Sequence, residues 1–196
     1  MKELLVATSN RGKFREIQAY LQDVVARLYS SADFPELPAV EEDGATFAEN
    51  AVKKAASAAM ASGMAVISDD SGLLVDALGG RPGVYSARFA GEGASDADNN
   101  ARLLEELAGV PWQLRTAAFQ SVIALCQPGE GCLTFSGEVK GIILDAPRGD
   151  GGFGYDPLFL VPEFGLTVAE LSMDVKNAIS HRGKALALLK EHLSGI

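Results

Sequence analysis

The apolar run Leu4-Leu5-Val6-Ala7 gives way to the polar loop Thr8-Ser9-Asn10-Arg11-Gly12. A segment follows whose apolar residues Phe14, Ile17 and Leu21 recur at helical spacing. This strand–loop–helix unit constrains the fold most, because a short unbroken apolar run of this kind reads as a buried strand. The pattern then returns. Thr46-Phe47-Ala48-Glu49 has the form of a capping box opening an alanine-rich helix to Gly63. Ala65-Val66-Ile67-Ser68 reads as a second buried strand, ending at Asp69-Asp70-Ser71-Gly72. A third helix is expected from about Ser95 to Gly109, with Leu103, Leu104 and Leu107 inward.

The middle of the chain changes character. Ala117 to Leu125, Leu133 to Gly137 and Val139 to Leu144 read as strands of an antiparallel meander, with Gln127-Pro128-Gly129-Glu130-Gly131 as a turn. The glycine-rich stretch Arg148 to Gly154 leads to a strand at Pro157 to Val161, and a last helix carries Leu186, Leu189 and Leu193 on one stripe. The expected fold is α/β, a mixed sheet flanked by helices. No repeat or linker marks a boundary, so one domain over 1–196 is expected.

The 196 residues are 47% hydrophobic, enough for a core without disulfides or structural metal. A net charge of −9 repels a nucleic-acid backbone and argues against polynucleotide binding, while leaving room for a small anion met by local cations or a divalent metal. Cys126 and Cys132 lack ligand spacing and point to a reducing compartment. Met1-Lys2-Glu3 opens an apolar run too short for a signal peptide, and no stretch approaches a membrane span, so a cytoplasmic location is expected.

Cations gather at two helix starts of this acidic chain. Arg11, Lys13 and Arg15 lie where the helix dipole disfavours them by a few tenths of a kcal/mol each. A phosphate there would reverse that sign and meet the free N–H groups of the first turn. The loop is not a Walker A motif, because Phe14 follows Gly12-Lys13. Ser180 is placed as N-cap to a turn holding His181, Arg182 and Lys184. Each group has a bland reading as solvated surface.

Asp69 and Asp70 stand at a strand edge where α/β sheets bind ligands, and alternation sends only one of them into a cleft. Glu41, Glu42 and Asp43 form a second acidic cluster. One carboxylate from each would suit Mg²⁺, which takes few protein oxygens; the alternative is a solvated loop and a turn. Gly151-Gly152-Phe153-Gly154-Tyr155-Asp156-Pro157 suits a loop lying against a planar ligand, with Phe153 or Tyr155 for stacking, or else a tight turn with a core plug.

In order along the chain these segments resemble the inosine triphosphatase family, the dITP/XTP pyrophosphatases. The resemblance is carried by Thr8 to Lys13, Thr46 to Ala51, Ser68 to Leu73, Gly80 to Arg88, Gly151 to Pro157 and Ser180 to Gly183. It implies an elongated mixed sheet in two lobes with a nucleotide cleft between them, a homodimer, and Mg²⁺-dependent hydrolysis of ITP, dITP and XTP to monophosphate and pyrophosphate. It assigns Asp70 as general base and metal contact and Glu41 as the other metal ligand. It also implies substrate contacts from Thr8, Ser9, Asn10, Arg11, Gly12, Lys13, Ser71, Phe153, Gly154, Tyr155, Asp156, Lys176, His181 and Arg182. Donors from His181 and Arg182 would favour a 6-keto purine. Two rivals remain: a Maf-type pyrophosphatase of other base specificity and a non-hydrolytic nucleotide-binding regulator. Ser180 to Gly183 argues against the first, and the pairing of Glu41 with Asp70 against the second.

Overall fold

The computed structural model describes residues 3–195. Met1 and Lys2, which open the run read as too short for a signal peptide, lie outside the described residues. Strand β1 (Glu3–Val6) leads into helix α1 (Arg11–Leu21), then β2 (Arg27–Ser30), α2 (Phe47–Ser62) and β3 (Val66–Val75). Helix α3 (Asp96–Glu106) precedes β4 (Thr116–Cys126) and β5 (Cys132–Ile143). The chain continues through β6 (Phe159–Val161), β7 (Leu166–Thr167), α4 (Met173–Ile179) and α5 (His181–Ser194).

The strands follow the order β2-β1-β3-β4-β5-β6-β7. Strand β1 runs parallel to β2, with Leu5 opposite Tyr29, and to β3, with Leu5 opposite Val66. Strand β6 runs antiparallel to β5, with Ile143 opposite Phe159, and to β7. The expected mixed sheet is therefore present.

Backbone contacts divide the chain into two compact units: residues 1–70, 121–137 and 181–196, and residues 71–120 and 138–180. Three of the four changes of unit fall inside β3, β4 and β5 and the fourth between the adjoining helices α4 and α5, so no linker marks a boundary in the sequence.

In the first unit the strand alternation builds two cores. Leu4, Val6 and Ile67 pack with Ile17 and Leu21 of α1 and with Leu186, Leu189 and Leu193 of α5. Leu5 and Val66 pack with Ala51, Ala55, Ala58 and Ala59 of α2. Successive β-strand side chains point to opposite faces, so both faces of β1 are buried, as its unbroken apolar run requires. In the second unit Leu73, Val75, Leu103, Phe119, Ile143 and Phe159 share a core.

Several expectations need correction. Asp69 and Asp70 do not end a strand; β3 continues through Ser71 and Gly72 to Val75. Polar residues persist there because partners from other elements satisfy them. The two expected strands, Leu133 to Gly137 and Val139 to Leu144, are a single strand, β5. Gly137, the expected end of the first, marks a close approach: a Cβ there would collide with the His181 carbonyl and lie 2.8 Å from Ala185 N. Gly137→Ala should therefore cost about 2 kcal/mol or more, read as a lower urea midpoint; an unchanged midpoint would refute this packing. The last expected strand begins at Phe159 rather than Pro157, and β2, β7 and α4 were not anticipated. Cys126 and Cys132, read as thiols, form a disulfide across the 127–131 turn.

Candidate active site

In the first unit α1 presents its N-terminus after the loop that leaves β1. Asn10 caps it, with Oδ1 accepting from Lys13 N at 3.0 Å, while Thr8 Oγ1 accepts from Asn10 N at 3.2 Å. No acidic residue occupies the first turn, so neither the dipole nor Arg11 is neutralised within the helix. Ser9, Asn10 and Arg11 are exposed, and Thr8, Gly12 and Lys13 are partly so.

The two aspartates of β3 meet different partners, as alternation requires. Asp69 is fully buried: its Oδ2 lies 2.7 Å from Lys13 Nζ and 3.2 Å from Arg182 Nη2, and its Oδ1 accepts from Ser121 Oγ. Arg182 also pairs with buried Glu16. Two carboxylates and two cations thus balance in the interior. Burial pushes the Asp69 carboxyl up, but Arg182 and Lys13 outweigh it and hold it well below the usual carboxylate range.

Asp70 accepts from Lys54 Nζ at 2.9 Å and from Asn50 Nδ2 at 3.3 Å. Burial raises its carboxyl above the ordinary value, and the attraction of Lys54 and Lys13 only partly offsets this. Lys54 Nζ also lies 2.9 Å from Glu42 Oε1 and 3.2 Å from the Asp69 carbonyl oxygen. Burial disfavours the Lys54 charge, yet Asp70 and Glu42 prevail and raise its pKa.

The segment Thr46 to Asn50 builds this corner. Thr46 Oγ1 accepts from Glu49 N, Glu49 Oε2 accepts from Ala45 N at 2.7 Å, and Asn50 Oδ1 accepts from Gly44 N at 2.8 Å. A Cβ on Gly44 would stand 2.6 Å from Asn50 Oδ1, so the acidic loop needs a glycine there. Asn50 and Lys54, four residues apart on α2, reach Asp70 together.

Two carboxylate oxygens, from Asp70 and Glu42, converge on one cationic position. The acidic-loop partner is Glu42, whereas Glu41, the expected metal ligand, is exposed. Among the described residues no cluster of three or more metal-ligating side chains is gathered. Lys54 fills the position between Asp70 Oδ1 and Glu42 Oε1, so the hard oxygens that fit Mg²⁺ are Asp70 Oδ2 and the exposed Glu41 carboxylate; the ion keeps several waters and takes further oxygens from substrate phosphates.

In the second unit the glycine-rich loop is ordered by Asp156, whose Oδ2 accepts from Phe153 N at 3.0 Å and from Lys176 Nζ at 2.8 Å. Lys176 Nζ stands 5.0 Å from the Phe153 ring centroid. A Cβ on Gly152 would collide with the Asp156 carboxylate. Tyr155 is not available for stacking: its ring lies in the core and its hydroxyl donates to the Ser86 carbonyl at 2.8 Å. Burial, reinforced by Asp96, pushes its phenol well up, so it stays neutral. Phe153, Ser71 and Gly154 are partly exposed. His181 and Arg182, expected as donors to a base, are both buried at the start of α5. Arg182 is 2% exposed, with its two terminal nitrogens engaged by Glu16 and Asp69.

The sequence singles out Glu42 only as one of the acidic cluster, and does not single out Lys54, Asn50, Glu16 or Ser121 as site residues. Of these four, Asn50 and Lys54 carry a signal, their four-residue spacing just after Thr46 and Glu49.

The Ham1 family model matches residues 4–192. A dITP/XTP pyrophosphatase of Geobacter sulfurreducens is 62% identical over 193 residues, covering 98% of this chain and 97% of that protein. One of Geobacillus kaustophilus is 53% identical, covering 97% of this chain and 94% of its own. Among solved structures, a HAM1 protein from Coxiella burnetii superposes with a TM-score of 0.90 at 42% identity over the whole of both chains. The Staphylococcus aureus Ham1 protein gives 0.88 at 42% identity over 99% of each. With a family match over nearly its whole length and relatives this similar, the chain belongs to the Ham1 family.

Proposed function

We propose that this chain hydrolyses the non-standard purine triphosphates ITP, dITP and XTP to the monophosphate and pyrophosphate. The observation that carries the reading is Asp70: a buried carboxylate oriented by Lys54 and Asn50 and within the field of Lys13 at a helix N-terminus. A carboxylate held in place by two donors is suited to take a proton from an attacking water. Lys13 and the free N–H groups of α1 are suited to hold phosphate oxygens and the charge that develops on leaving pyrophosphate.

When bound, Mg²⁺ would neutralise triphosphate charge and act as a Lewis acid, with Asp70 and the exposed Glu41 as its protein ligands. Lys54 pairs with Asp70 and Glu42, holding the acidic loop beside Asp70 and limiting the repulsion between their carboxylates. The second unit's Phe153 offers the aromatic face a purine stacks on, and Lys176 and Asp156 fix its loop. The names of the relatives support the substrate class. The Ham1 match over residues 4–192 favours this reading over a Maf-type enzyme, and the presence of Asp70 together with the acidic loop favours it over a non-hydrolytic regulator. A cytoplasmic homodimer completes the proposal.

The reading is tested with ITP, XTP, GTP and ATP, each assayed with Mg²⁺ and with chelator. We expect kcat/KM for ITP to exceed that for ATP by about 100-fold. The relatives' names carry this expectation, since a pocket that donates to a 6-keto oxygen would leave each such donor unpaired against a 6-amino group, at roughly 1–3 kcal/mol. Equal ITP and ATP efficiencies, or full activity in chelator, would contradict it.

A further inference from the structure

Helix α3 holds the glycine beside Phe153 by both of its backbone polar groups. Gly154 N donates to Asp96 Oδ2 at 2.7 Å, and Asn100 Nδ2 donates to the Gly154 carbonyl at 2.9 Å. Asp96 and Asn100 are four residues apart and so share one face of α3. Gly154 has φ +61, and nothing lies within 4 Å of where a Cβ would sit. The glycine therefore answers to a left-handed backbone rather than to crowding.

Neither side chain caps the helix, although Asp96 lies in its first turn. The α3 N-terminus is closed by the reciprocal capping box of Ser95 and Asp98. Asn99 separately ties α3 to the preceding loop through Ala90 N and the Ala87 carbonyl. Asn100 even carries a cost. Its Oδ1 is buried with no hydrogen-bond partner among the described residues, a penalty that alanine, a better helix former, would avoid. What asparagine adds at this position is the hydrogen bond to Gly154.

We propose that Asp96 and Asn100 are positioning residues for the nucleotide base, clamping Gly154 so that the adjacent Phe153 ring is held ready for stacking. The inference rests on the reading of Phe153 as the base's stacking partner. With the clamp released, Gly154 regains conformational freedom, and substrate binding must then order the loop at the expense of affinity. The effect falls on KM rather than on kcat, because neither residue touches the phosphate chemistry.

The test measures KM and kcat for ITP in Asp96→Ala, Asn100→Ala, Phe153→Ala and the Asn100→Ala/Phe153→Ala double variant. Phe153→Ala should raise KM about tenfold. Asp96→Ala and Asn100→Ala should each raise it about fivefold with kcat within about twofold of wild type, and the double variant should be no worse than Phe153→Ala alone. Amide hydrogen exchange without nucleotide reads the clamp directly. In Asp96→Ala, Gly154 should exchange about tenfold faster while the β4 amides keep their protection. Wild-type KM in both clamp variants, additive losses in the double variant, or unchanged Gly154 exchange would overturn the clamp and leave stacking in place. Wild-type KM in Phe153→Ala would overturn the stacking reading and the clamp with it.

Discussion

Replacing Asp70 with asparagine should lower kcat by about 10²-fold or more while leaving the melting temperature close to wild type. The substitution preserves volume and the hydrogen bond from Asn50, so the fold loses little. It removes the basic oxygen and leaves Lys54 paired with Glu42 alone. Asp69→Asn should behave in the opposite way, because Asp69 balances two buried cations and its pKa is held low, out of the range useful to a base. Its principal loss should be stability. Steady-state turnover and thermal melts on the two variants check the division of labour. Near-wild-type kcat in Asp70→Asn would remove Asp70 from the chemistry.

Arg182→Met should destabilise the protein by about 3–5 kcal/mol, a fall of roughly 10 °C in melting temperature for a chain of this size. Methionine replaces the volume but not the charge. Glu16, buried and paired with Arg182, would then be left as an uncompensated carboxylate, and Asp69 would keep only part of its positive surroundings. Urea unfolding measures the loss, with an unchanged m-value as the sign that the denatured state is unaltered. A loss below about 1 kcal/mol would show that the network is not a structural element of the first unit.

The features legible in the sequence are those whose physics is local. The Thr46 cap, the apolar periodicities of α1 and α5 and the burial of β1 depend on residues a few positions apart, and the structure shows them. Features missed depend on partners brought from afar. Arg182 reads as a surface donor in its own turn, but its acidic partner Glu16 lies 166 positions away. Asp69 and Asp70 look like a strand end because their compensating cations come from α1, α2 and α5. Gly137 looks like a strand end because the helix that needs its missing side chain begins at His181. Tyr155 and Phe153 are equivalent as letters; only the Ser86 carbonyl, across the second unit's core, separates a structural phenol from an accessible ring.

The most direct test of the central claim is product analysis on ITP in Mg²⁺, with separate quantification of inorganic pyrophosphate and orthophosphate and chromatography of the nucleoside product. The account predicts equimolar IMP and pyrophosphate, with no orthophosphate ahead of added pyrophosphatase. Primary release of orthophosphate with IDP would contradict it.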